Sequence, residues 1–144
     1  NLLYLGTSIP YLGVDPGLNN PYQEATPQML EMALTTPSIK KVIISTILKH
    51  NVDTPEGKAL VEKFRATLKA LQDAGKEVTY FYDVPTLNFD PRACIRRAGV
   101  ASSTTNRDCA MAAADFNQAV RAHDEIVASV LKEFPAVSTF QPAK

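Results

Sequence analysis

Short apolar runs alternate with amphipathic stretches along this chain, and their periods predict its elements. Leu2-Leu3-Tyr4-Leu5 is closed by Gly6, the pattern of a buried strand. Lys41-Val42-Ile43-Ile44-Ser45-Thr46-Ile47 is β-branched and nearly uninterrupted, which predicts a central strand covered on both faces. Val78-Thr79-Tyr80-Phe81-Tyr82 and Val137-Ser138-Thr139-Phe140 predict two more strands. Between the strands the period lengthens. Thr26-Pro27 supplies a cap and a first-position proline for a short helix with Met29, Leu30, Ala33 and Leu34 on one face, ended by Pro37. Thr54-Pro55 repeats the signal. Behind it Leu60, Phe64, Leu68 and Leu71 recur at spacings of 4, 4 and 3 until Ala74-Gly75 punctuates the helix. A third helix, from about Ala110, carries Phe116, Val120, Val127, Val130, Leu131 and Phe134 on one stripe.

The order β-α-β-α-β-α-β predicts an α/β fold with right-handed crossovers, a mainly parallel sheet and helices on both faces. In such sheets ligands bind beyond the carboxyl ends of the strands. The loops there begin at Gly6, Leu48 and Asp83. Two of them are long and rich in turn residues: Thr7 to Pro27, and Val84 to Asp108. No internal repeat or low-complexity tract interrupts the pattern.

Composition narrows the function. The chain has 144 residues, a length for one folding unit, and 45% of them are apolar. With 15 Lys+Arg against 15 Asp+Glu it lacks the electrostatic footprint of a nucleic-acid binder. No apolar run approaches the ~18 residues of a membrane span. The chain opens without Met in an apolar run, Asn1-Leu2-Leu3-Tyr4-Leu5, and stops at Pro142-Ala143-Lys144 just after another. Both ends are therefore expected to be cut from a longer protein.

Two cysteines, Cys94 and Cys109, bracket the loop Ile95 to Asp108. Without a neighbouring Cys or His pair they supply too few ligands for a metal, so no metal site is expected. An even count flanking one loop suggests a structural disulfide, contributing ~3 kcal/mol in the chain-entropy model and implying an oxidising compartment. Two unrelated buried thiols in a cytosolic protein are the alternative. Arg92, Arg96, Arg97 and Arg107 give this loop a basic bias, as a solvated loop or as contacts to an anionic glycan or phosphate.

No catalytic constellation is complete. Gly6-Thr7-Ser8 follows a strand, but Pro10 and Gly13 prevent the helix that a nucleophile turn needs behind its serine. Neither His50 nor His123 has an Asp three residues before it. His50 falls beyond a strand's carboxyl end, at a site edge, whereas His123 sits on an apolar stripe and reads as a hydrogen-bonded boundary residue. There is no G-x-G-x-x-G and no G-x-x-x-x-G-K-[ST], so no nucleotide cofactor is expected. Asp53, Glu56, Asp83 and Asp90 make no metal-ligand spacing.

Two segments resemble a known family. Leu2-Leu3-Tyr4-Leu5-Gly6-Thr7-Ser8-Ile9-Pro10-Tyr11-Leu12 resembles the second block of the extracytoplasmic SGNH domains appended to acyltransferase-three membrane proteins. Asp83-Val84-Pro85, then Phe89-Asp90-Pro91-Arg92-Ala93-Cys94-Ile95-Arg96-Arg97, is similar to the family's Val-Pro, Phe-Asp-Pro, Cys and Arg stretch. The helix from about Asp115 through Ala136 and the strand behind it fit the run-up to the family's catalytic end. There are departures: Ile9 stands where the family usually has Cys, Tyr11 replaces its second Pro, and Ile47 falls where a Trp is common.

The resemblance implies a flavodoxin-like, three-layer SGNH hydrolase fold, incomplete at both ends, with residues 1–144 forming the central part of one domain. It implies serine-based acyl transfer onto cell-surface carbohydrate such as O-antigen, on the periplasmic side of the inner membrane. The partners implied are a carbohydrate acceptor, an acyl donor and a covalently linked membrane acyltransferase domain; no cofactor is implied. The nucleophile block would precede Asn1 and the Asp-x-x-His pair would follow Lys144, so no catalytic residue is expected here. By position, Thr7 and Ser8 would supply oxyanion donors, and Ser45, His50 and Asn51 would form a pocket wall. In a flavodoxin-like order a missing strand would lie between the Leu2 strand and the Val42 strand. A non-catalytic α/β module that binds carbohydrate or docks onto a partner is the competing reading. A cytosolic flavodoxin-like regulator is a third, favoured by free thiols.

Overall fold

The computed structural model describes residues 11–13, 25–46, 53–82 and 110–141. Their elements, in chain order, are α1 (Ala25–Thr35), β1 (Lys41–Ile44), α2 (Pro55–Asp73), β2 (Glu77–Phe81), α3 (Ala113–Leu131) and β3 (Ser138–Phe140). The predicted Leu2–Leu5 strand lies outside the described residues.

Helix α2 begins and ends where its sequence signals stand. The Thr54 side chain accepts from the Gly57 N–H, and Pro55 opens the helix where its missing N–H costs nothing. At the other end Gly75 takes φ +70°, a conformation that strains any residue with a Cβ. That bend lets the Lys76 N–H reach the Leu71 carbonyl and the Gly75 N–H the Gln72 carbonyl, at 2.9 and 2.8 Å. This paired closure satisfies carbonyls that would otherwise be orphaned. Lys76 also lies under the end of α1. Its buried ammonium donates to the Thr36 and Ile39 carbonyls at 2.8 and 2.9 Å.

The three strands form one parallel sheet in the order β1-β2-β3, with Val42 opposite Val78 and Tyr80 opposite Thr139. Both crossovers step the same way across the sheet, so right-handed connections must place α2 and α3 on the same face. The packing agrees. Phe64, Leu68 and Leu71 of α2 and Val127 and Val130 of α3 are fully buried in one cluster with Ile44, Val78 and Tyr80. Ala33 and Leu34 of α1 pack against the same cluster. Arg65 ties α2 to the turn after α3 through Glu133, at 3.0 Å.

The fold class is thus the expected α/β type, with corrections to detail. Strand β1 ends at Ile44 rather than Ile47, and its ladder partner among the described residues is β2 alone. It is not covered on both faces there: Ile43 is 56% exposed. Among the described residues α2 and α3 lie on one face, as right-handed crossovers stepping the same way require, and α1 packs with them. The predicted α2 stripe is buried as expected, while the Phe116 side chain is outside the description.

Phe64 sits at the centre of the cluster, fully buried. Replacing it with Ala should cost about 3–5 kcal/mol, read as a lowered urea midpoint at unchanged slope. Ala66→Ser, on the exposed side of the same helix, should stay within about 0.5 kcal/mol.

Candidate functional site at the carboxyl ends of the strands

Past the end of β1 the chain keeps its alternation: Ile44 and Thr46 are buried, and Ser45 between them is exposed. Ser45 is the one sequence-derived pocket candidate among the described residues. Thr7, Ser8, His50 and Asn51 lie outside them, as do Cys94 and Cys109 and the arginines of their loop. The described structure therefore brings no two of these candidates together.

What it does bring together is an aromatic column that the sequence reading passed over. Tyr11, 2% exposed, stacks on Phe64 with ring centroids 4.9 Å apart and planes 25° from parallel. Phe64 meets Tyr80 at 5.6 Å, and Tyr80 meets Tyr82 edge-on at 5.3 Å. The column runs from the Tyr11–Gly13 turn across α2 to the carboxyl end of β2. Tyr80, its third member, donates a long hydrogen bond of 3.4 Å to the Thr46 carbonyl, steadying the segment just past β1. Offset and edge-on ring pairs are favourable by about 0.5–1.5 kcal/mol each beyond their burial, so the column is a rigid mount.

Polar contacts pin the same turn to α2. The Thr67 hydroxyl accepts from the Leu12 N–H at 2.8 Å and donates to the Lys63 carbonyl at 2.7 Å. The Lys63 ammonium in turn donates to the Gly13 carbonyl, and Gly13 takes φ +68°. Only the α2 positions of Lys63 and Thr67, four apart on one face, carried a signal for this anchoring, and nothing in the loop marked its partner.

Electrostatics at the site follow burial. Desolvation pushes the Tyr11 phenol far above its ordinary range, and Thr46 opposes this only weakly, since no described group makes a well-formed hydrogen bond to the Tyr11 hydroxyl. Tyr82 is also raised, first by burial and second by the Asp124 carboxylate. On α3, His123 Nδ1 lies 3.4 Å from Asp124 Oδ1, while its buried Nε2 has no hydrogen-bond partner among the described residues. The boundary position expected for His123 holds, with a single long contact to its neighbour. No described serine is hydrogen-bonded to a histidine; Ser129 and Ser138 bond carbonyls or Thr79. No group of three His, Cys, Asp or Glu that could hold a metal ion occurs among the described residues. The arrangement is a scaffold that fixes loop positions at the strand ends.

Comparison with known families decides the affiliation. The family described as SGNH domain (fused to AT3 domains) matches residues 3–144. The chain belongs to this family. Its class of chemistry is accordingly the esterase and acyl-transfer type, and domains of this family are described as fused to acyltransferase-three domains. Among the described residues no helix is long and apolar enough to cross a membrane. No curated protein and no solved structure gives a significant match.

Within this SGNH domain the turn anchor has a direct test. Thr67→Val removes the acceptor of the Leu12 N–H, and hydrogen exchange should show the Leu12 amide losing its protection while amides of β2 keep theirs. Tyr11 has a signature at alkaline pH. Its folded pKa is raised above the unfolded value of 10.0, so its contribution to stability is fully present below pH 10 and lost as pH rises beyond it. Thermal melts from pH 9 to 11.5 should show a steeper loss for the parent protein than for Tyr11→Phe, which cannot ionise.

Proposed function

We propose that residues 1–144 form the central part of an SGNH O-acyltransferase or esterase domain that acts on cell-surface carbohydrate, O-antigen among the candidates. The observation that carries this reading is the family match across residues 3–144. The failure to find a serine, histidine and aspartate in one constellation is consistent with it: the nucleophile block would precede Asn1 and the Asp-x-x-His pair would follow Lys144.

In this reading the serine hydroxyl attacks the donor's acyl carbonyl and passes its proton to the histidine, which the aspartate orients. Collapse of the tetrahedral intermediate expels the donor's leaving group, which takes that proton. A sugar hydroxyl then attacks the acyl-enzyme and gives its proton to the histidine, which passes it to the serine oxygen as the acyl–serine bond breaks and the sugar ester leaves. Backbone N–H groups stabilise the oxyanion at both steps. Thr7 and Ser8, four and three residues before the anchored Tyr11, would supply such donors, and Ser45, His50 and Asn51 would line the pocket. The column through Tyr11, Phe64 and Tyr80 supports this assignment by holding both flanking backbones on one rigid base. A Cys94–Cys109 disulfide would close the loop between β2 and α3 in a periplasmic domain tethered to the inner membrane.

The test uses the intact polypeptide with its acyltransferase-three portion. A serine-directed fluorophosphonate should label it, and peptide mapping should place the label on a serine outside residues 1–144. A label on Ser8 would overturn the placement of the nucleophile. Absence of any label, with retained affinity for glycan, would favour a non-catalytic carbohydrate-binding module instead.

A further inference from the structure

Two hydroxyls are buried where packing alone calls for none. Beyond β1 the row of Val42 and Ile44 on the helical face continues with Thr46, which is 6% exposed. Valine has nearly the same shape and no hydroxyl to desolvate there. Tyr11 stacks on Phe64, a contact that a phenylalanine ring would make equally well. Its hydroxyl is nevertheless buried, without a well-formed hydrogen bond among the described residues. Burial pushes this phenol upward, and the neighbouring Thr46 hydroxyl opposes the shift, which puts the two hydroxyls side by side.

A second phenol reaches the same residue. Tyr80, fully buried, donates to the Thr46 carbonyl at 3.4 Å. Tyr11 and Tyr80 thus converge on Thr46, one at its hydroxyl and one at its backbone, with Phe64 packed between their rings. Polar groups in a low-dielectric interior restrict the arrangements a chain can adopt, whereas apolar side chains of equal volume tolerate several.

The places of these residues in the chain give the contact its consequence. Tyr11 opens the turn that Thr67 and Lys63 hold onto α2, and it follows Thr7 and Ser8 by four and three residues. Thr46 directly follows Ser45 and precedes His50 and Asn51 by four and five. The candidate oxyanion donors and the candidate pocket wall stand on different segments of the chain. Tyr11 beside Thr46 is a direct polar contact between those segments.

We propose that Tyr11 and Thr46 are a pair of positioning residues whose hydroxyls set the spacing between the segment of Thr7 and Ser8 and the segment of Ser45, His50 and Asn51. The proposal rests on the acyl-transfer reading above. Neither is a catalytic residue: both are buried and act through the backbone that carries them. Misplacing reacting groups by about 1 Å costs up to about a hundredfold in rate, so loss of either hydroxyl reaches turnover before it reaches the fold.

A double-mutant cycle in the intact polypeptide tests this, with Tyr11→Phe, Thr46→Val, the two combined, and Thr46→Ser as the conservative variant. Hydrolysis of p-nitrophenyl acetate and the rate of fluorophosphonate labelling report the reaction, and urea midpoints report the contact itself. Each single variant is expected to lower kcat about tenfold with KM within about twofold of the parent. The double variant should be no worse than the poorer single, because both substitutions remove one contact. Thr46→Ser keeps the hydroxyl and loses a methyl group, so it should recover most of the kcat that Thr46→Val loses. A packing role gives the reverse order. Unchanged kcat in either single variant, effects that add in the double, or a Thr46→Ser variant as slow as Thr46→Val would overturn the proposal. A parent protein that neither hydrolyses the ester nor takes the label sinks the acyl-transfer reading instead. The pairing of the hydroxyls is then judged on the urea midpoints, where shifts that fail to add support it and additive shifts overturn it.

Discussion

The constraint on which everything else depends is the hand of two consecutive crossovers. Strand β1 passes through α2 to β2, and β2 through α3 to β3, each time moving one place in the same direction. A right-handed chain can do this only by laying both helices on one side. That choice concentrates the apolar stripes of α2 and α3 in one core and directs Phe64 between the Tyr11 ring and the Tyr80 ring. The same choice leaves Ile43, Phe81 and Phe140 on the other side, where none of the described helices reaches them.

Much of this was legible in the chain. Leu60, Phe64, Leu68 and Leu71 announced α2 because burial selects a 3.6-residue period, and Thr54 and Gly75 marked its limits because helix ends need particular polar and conformational partners. The parallel sheet followed from alternating elements. Coverage was not legible. The β-branched run through Ile47 resembles a strand buried on both faces, but exposure depends on which neighbours stand there, and periodicity within one strand carries no information about them. The site was harder still. Lys63 and Thr67 read as ordinary surface positions of an amphipathic helix, and their role in holding Leu12 and Gly13 arises from contacts some 50 residues distant. Tyr11 lay in a stretch dominated by Pro and Gly, where no period exists to betray a buried ring.

The affiliation drew on a different kind of signal. Spacing alone left the chain without a catalytic triad, and the geometry of the described residues shows a scaffold rather than a reacting centre. The family match across residues 3–144 supplies the affiliation that neither could give. The scaffold's contribution is preorganisation. The Tyr11 ring stacked on Phe64 and two hydrogen bonds from α2 fix the Tyr11–Gly13 backbone on that helix.

The ammonium of Lys76 has a bearing on how this unit acquires order. Helix α1 has no basic residue in its own last turn, so the negative end of its dipole is unmatched within the helix. Lys76 supplies the missing charge from the start of β2, across 40 positions of sequence to Thr36. An 11-residue helix is marginal in isolation. Its terminus is completed by a residue standing at the start of β2, which ties the stability of α1 to the pairing of β2 with β1.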